Sequence, residues 1–101
     1  MPEAYTINQI KHVLQNMPID KRVRRLILFG SHVKGTAEIQ SDMDFFLDSD
    51  NRITGFAYFD LKGRLEDAFK RDIDLIPDVD VIPGSKVDEE IRKTGVMVYG
   101  R

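Results

Sequence analysis

The chain has no cysteine and only two histidines, His12 and His32. No disulfide framework and no thiolate metal centre can form. A zinc site would have to lean on carboxylates, so a hard divalent cation with oxygen ligands, Mg2+ or Mn2+, suits this composition better. Nor is there a surplus of positive charge: 15 Lys and Arg stand against 17 Asp and Glu, a formal net charge of -2. Direct nucleic-acid binding is therefore not expected, because it normally rests on a concentrated basic surface. No apolar run approaches the ~20 residues that a membrane span needs. The opening Met1-Pro2-Glu3-Ala4-Tyr5 has neither the basic nor the apolar region of a secretion signal. The expected compartment is the cytoplasm, with no membrane partner. Internal repeats, linkers and low-complexity segments are also missing.

What is present is an ordinary globular composition, 42% hydrophobic and 32% charged over 101 residues. That length carries one modest core, so residues 1–101 read as a single domain, and a site that handles a large substrate would borrow surface from a partner. Thr6 and Gln9 are spaced as a capping box. Behind them Ile7, Ile10, Val13, Leu14 and Met17 recur at helical spacing up to Pro18. The cluster Lys21-Arg22-Val23-Arg24-Arg25 reads as a solvated lead-in to a strand, with an acidic partner or RNA as the other reading. Leu26 to Phe29 is apolar on both alternations and predicts a central strand. A polar connection over residues 31–39 has room for one or two helical turns. Phe45 to Leu47 and Ile73 to Ile76 predict two further strands, the second stopped by Pro77.

Between them the apolar positions from Ile53 to Phe69 fit an amphipathic helix. Gly63 in its middle costs that helix about 1 kcal/mol relative to alanine, which a close packing contact would offset. Phe56, Tyr58 and Phe59 suit either core or interface. Asp78 to Pro83 reads as a loop, Val87 and Ile91 mark a short last helix capped by Gly95, and Val96 to Tyr99 is strand-like.

The chemistry concentrates between Arg25 and Asp48. Asp42 and Asp44 are one residue apart at a strand entry, and side chains at i and i+2 of a strand share a face. Two carboxylates held so close repel, and a divalent ion removes that penalty. Alone, the pair more often marks a polar strand entry or a turn cap. Gly30-Ser31 ends the preceding strand, where a glycine admits close approach of a phosphate and a hydroxyl with backbone N–H groups can bind it, although Gly-Ser is also common in turns. Both features within residues 30–44 would face one cleft. Lys34 lies about one helical turn beyond Ser31 and is either a phosphate contact or an exposed helix lysine. Ser41 is read as fixing the Asp42 carboxylate or capping a turn. A third carboxylate comes from Asp74, flanked by Ile73 and Leu75, whose place in a buried strand would demand a cation. Asp72 reads as the solvated strand entry. Three carboxylates, two metal ions and a triphosphate make a site for in-line displacement.

Taken together, Gly30-Ser31, Lys34-Gly35, Ser41-Asp42-Met43-Asp44 and Ile73-Asp74-Leu75-Ile76 resemble the signature of the minimal nucleotidyltransferases of the polymerase-beta-like superfamily, the MNT-domain proteins. Ile91, Gly95 and Tyr99 are similar to the ending of that family, and the resemblance runs from about residue 25 to 99. It implies an α+β fold, a small mixed sheet flanked by helices, and Mg2+-dependent transfer of a nucleoside monophosphate from ATP to an acceptor hydroxyl. Carried over by position, Gly30 and Ser31 would hold the triphosphate while Asp42, Asp44 and Asp74 bind metal, Asp74 doubling as base for the acceptor. Members of this size often stand beside a helical HEPN ribonuclease toxin and add AMP to one of its tyrosines. That implies a HEPN-type partner in a hetero-oligomer and an antitoxin role. The family commonly has Arg where this chain has Lys34, which keeps the charge and loses the bidentate fork. The competing readings are an antitoxin that works by binding alone, and transfer to RNA or a small molecule.

Overall fold

Thr6 opens the first helix with the reciprocal cap that its spacing to Gln9 predicts: the Gln9 N–H donates to the Thr6 hydroxyl at 3.1 Å and the Thr6 N–H to the Gln9 side chain at 2.9 Å. A computed structural model describes residues 4–38 and 41–100. The segment Met1-Pro2-Glu3 and the far end of the 31–39 connection lie outside them. Helix α1 (Ile7–Gln15) buries Ile10 and Leu14 and stops before Pro18.

Strands β1 (Arg25–Phe29), β2 (Met43–Asp48), β3 (Ile73–Pro77) and β4 (Val96–Gly100) form one mixed sheet in the order β3-β2-β1-β4. β1 runs antiparallel to both of its neighbours, and β2 pairs with β3 in parallel. The double-sided apolar run of β1 is thus interior, as its pattern predicts. Along β2, Met43, Phe45 and Leu47 are fully buried, so the alternation turns Asp44 and Phe46 to the opposite face. Helices α1 and α3 (Gly55–Phe69) close the core side with Ile10, Leu14, Leu61, Leu65 and Phe69. No described helix is long and apolar enough to cross a membrane.

Several expectations change. Gly63 meets nothing within 4 Å of where a Cβ would stand, so no close packing offsets its cost to α3. Phe56 and Phe59 are exposed rather than core. β3 is an edge strand, not a buried one. Its free edge is guarded from α3: the Ile73 N–H donates to the Glu66 carboxylate, the Tyr58 hydroxyl donates to the Leu75 carbonyl at 2.6 Å, and Pro77 has no N–H to offer. Helix α4 (Lys86–Thr94) does end at Gly95, but in extended rather than left-handed backbone. A side chain at Gly95 would run into the Ile91 carbonyl and lie 2.6 Å from the Ile27 Cγ2, so close approach of α4 to β1 is what requires glycine there.

Candidate active site

Strand pairing brings two of the three carboxylates together. Asp44 is the register partner of Asp74 across the parallel β2–β3 ladder and of Phe29 across β1. Neighbouring strands lie about 4.8 Å apart, and i-to-j partners project on the same side of a sheet. The two carboxylates therefore share the face turned away from the core. Asp42 precedes β2 and is exposed, but its charge reaches Asp44.

Gly30 ends β1 and is buried, with φ 78° and ψ -149°, a conformation that L side chains rarely adopt. A Cβ there would overlap Oδ2 of Asp44. The glycine is thus required twice, for the turn and for the space. Ser31 follows as the first residue of the short helix α2 (Ser31–Lys34), half-buried beside that turn.

Burial pushes the Asp44 carboxyl up to about 6, and the charges of Asp74, Asp42 and Glu90, together with a hydrogen bond to Asp74, add to the rise. Removal from water and crowding by like charge both disfavour the ionised form. Among the described residues no three His, Cys, Asp or Glu side chains stand close enough to form a ready metal cage. The donors are all carboxylate oxygens, which suit a hard divalent ion, and the crowding that lifts Asp44 is what such an ion relieves. Asp42, Asp44 and Asp74 therefore fit the ion by chemistry and charge. To share one, the exposed Asp42 would turn toward Asp44, which Asp74 already meets through its hydrogen bond.

One sequence expectation is corrected here, for Asp74, while Ser41 takes the turn-capping alternative and Lys34 is an exposed lysine held in an ion pair. Asp74 is exposed on the edge strand, so desolvation of its own side chain is not what calls for a cation; the desolvated member is Asp44. Ser41 does not reach for Asp42: its hydroxyl accepts from the Glu38 N–H at 2.7 Å and its N–H donates to the Glu38 carbonyl at 3.0 Å, so it caps a turn. Lys34 is neither free nor simply exposed, since its Nζ pairs with Glu90 Oε1 of α4 at 2.8 Å.

Glu90 is the site neighbour that sequence reasoning misses. In a helix reading Lys-Val-Asp-Glu-Glu-Ile-Arg-Lys-Thr it looks like one more solvated charge, and no periodicity brings it to Lys34 and Asp44. His32 is missed as well. It is only 8% exposed and neither ring nitrogen has a partner, and burial together with the nearby Arg71 charge lowers its pKa. Arg71 stacks over the Tyr5 ring at 4.8 Å.

The family model for polymerase beta nucleotidyltransferases matches residues 8–101. No curated protein matches the chain. Among solved structures, a toxin–antitoxin crystal structure with AMP-PNP is similar at 25% identity and a TM-score of 0.68, over 96% of this chain and 75% of that one. The tri-AMPylated HEPN toxin of Shewanella oneidensis in complex with MNT antitoxin gives 22% identity and a TM-score of 0.59, over 94% and 70% of the two chains. The MntA–HepT toxin–antitoxin gives 23% and 0.58 over the same shares. The last two, at that identity, bear on the fold alone.

Proposed function

We propose, because this chain belongs to the polymerase beta nucleotidyltransferase family, that it transfers AMP from ATP to a hydroxyl, a tyrosine in the first instance, of a HEPN-type toxin and so acts as its antitoxin. The observation that carries the reading is the pairing of Asp44 with Asp74 in register, with Gly30 leaving room at the Asp44 carboxylate. The similar solved toxin–antitoxin structure with AMP-PNP supports the choice of an adenine nucleotide and of a toxin as partner.

In this reading the Gly30-Ser31 turn receives the triphosphate. Asp42, Asp44 and Asp74 would hold the divalent ions, two Mg2+ in the full site or Mn2+ in their place. When bound, the metal neutralises charge on the phosphates and makes the acceptor hydroxyl a better nucleophile. The acceptor oxygen forms a bond to the α-phosphorus as the bond from that phosphorus to the β-bridging oxygen breaks. Pyrophosphate leaves, and the hydroxyl proton passes to Asp74, whose exposure on the edge strand keeps it open to an incoming protein. Labelled ATP with Mg2+ and the product of the neighbouring reading frame should yield a labelled partner. Equal labelling by the Asp42→Asn/Asp44→Asn double variant would overturn the reading.

The ion pair between Lys34 and Glu90 favours a second reading, neutralisation by binding alone, because it occupies the cation that would otherwise meet the phosphates. Protection of cells from the toxin by that same double variant, at wild-type level, would establish it.

A further inference from the structure

We infer that the pocket between α4 and the sheet face that carries Asp44 is the subsite for the nucleoside end of the nucleotide, an aromatic base with its ribose. This deepens the transfer reading and rests on it. Strand register fixes the face: Ile27 on β1 is the partner of Phe46 on β2 and of Met97 on β4, and Phe46 lies two residues beyond Asp44, so these side chains share its side of the sheet. Helix α4 covers that side, since Gly95 lies against Ile27 and the charge of Glu90 reaches Asp44. Between helix and sheet is a pocket of about 480 Å³ with an apolar wall of Ile27, Phe46, Val81, Ile91 and Met97. That volume is in the range of small-ligand sites.

Its position follows the course of the substrate. In the transfer reading the attacked phosphorus lies at Asp44 and Asp74, with the departing pyrophosphate toward Gly30. The exposed edge at Asp74 is the side the acceptor needs. What is left for the ribose and base is the direction along β2, away from the Gly30 turn. Two residues of strand cover about 6.8 Å from Asp44 to Phe46, the span of one ribose. A base at that distance meets the Phe46 ring and the pocket behind it.

Charge and shape choose the occupant. The charged lining residues are Arg25, Asp88 and Arg92. Arg25 Nε pairs with Asp48 Oδ2 at 2.7 Å, and Arg92 Nη2 with Asp88 Oδ2 at 2.9 Å. Each positive charge is answered at the wall by a negative one, so the pocket has no surplus for a phosphate or an acidic segment. It offers a phenyl ring, aliphatic side chains and planar guanidinium groups, surfaces on which a neutral heteroaromatic base stacks.

The test compares affinity for AMP-PNP with affinity for inorganic tripolyphosphate, which has the phosphates and no nucleoside, both in Mg2+. Phe46→Leu keeps an apolar side chain and loses the ring. It should weaken AMP-PNP binding at least about fivefold, the low end of aromatic–base stacking, and leave tripolyphosphate affinity at the wild-type value. Val81→Trp, in the loop before α4 and outside the core, should fill the pocket and weaken AMP-PNP binding about tenfold, again with tripolyphosphate unchanged. It carries the test should Phe46→Leu fail to fold. Wild-type AMP-PNP affinity in Val81→Trp, or an equal loss of affinity for both ligands, overturns the inference while the transfer reading stands. So does wild-type AMP-PNP affinity together with weaker binding to the product of the neighbouring reading frame, which would make the pocket a protein contact. A wild-type chain that binds neither ligand in Mg2+ overturns the transfer reading and the subsite together.

Discussion

Gly30 lies so close against Asp44 that a methyl group placed on its α-carbon would overlap the carboxylate oxygen Oδ2. The end of β1 and the acidic entry of β2 are therefore fitted to each other, and Gly30 cannot gain a side chain without moving Asp44.

Replacing Gly30 by alanine is expected to remove Mg2+–AMP-PNP binding and to cost more than the 1–2 kcal/mol, roughly, that a left-handed L-residue carries, because the clash adds to it. Urea unfolding of Gly30→Ala, Asp44→Ala and the double variant checks this. The double variant should be more stable than the sum of the two single losses, since removing the carboxylate relieves the overlap.

Asp44 titrates near 6 in the folded chain against an ordinary value of 3.8. A raised carboxyl adds stability that is fully present below the unfolded value and is lost as pH rises through the folded one. Metal-free Asp44→Asn should therefore be more stable than wild type at neutral pH, with the difference vanishing below 3.8. Nucleotide affinity in Mg2+ should fall as pH drops through about 6, because a protonated Asp44 no longer offers a metal its charge. Denaturant titrations and calorimetry across that range decide both.

Glu90 holds Lys34 and also lends negative charge to Asp44. Changing Glu90→Gln should release the lysine, lower the Asp44 titration point and tighten AMP-PNP binding several-fold, whereas Lys34→Gln should weaken it. Stability should shift by less than about 1 kcal/mol in either variant, as expected of a half-exposed pair. Tighter binding by Lys34→Gln would show that the lysine has no part in holding phosphate.

Gly63 sits inside α3 with open space where a side chain would go. Gly63→Ala should stabilise the chain by about 0.5–1 kcal/mol, read as a higher thermal midpoint, with catalysis and toxin binding unchanged.

Much of this molecule is legible in one dimension because the signals are local. The cap of α1 is a three-residue relationship, the apolar alternations of β1 and β2 are set by the strand repeat, and Gly30-Ser31 with Asp42 and Asp44 lie within a single turn-linked unit. Asp74 is marked as a candidate by its flanking isoleucine and leucine, although its exposure on the edge strand removes the desolvation argument for a cation there. An apolar pair beside an aspartate marks a strand but does not say whether that strand is central or at the edge.

What only the tertiary structure decided are the relations across the chain. Parallel pairing of β2 with β3 sets Asp74 opposite Asp44, and the resulting burial and like charge, which no composition encodes, lift one carboxyl and not its neighbours. Helix α4 crossing β1 delivers Glu90 to Lys34 from 56 residues away, a separation read directly from the numbering. The exposure of Phe56 and Phe59 follows from which stripe of α3 meets the sheet, since a helix with apolar residues on more than one side can turn only one of them inward. The sequence by itself determined which residues are candidates for the chemistry; long-range packing determined which of them meet, which lose water and which are left exposed.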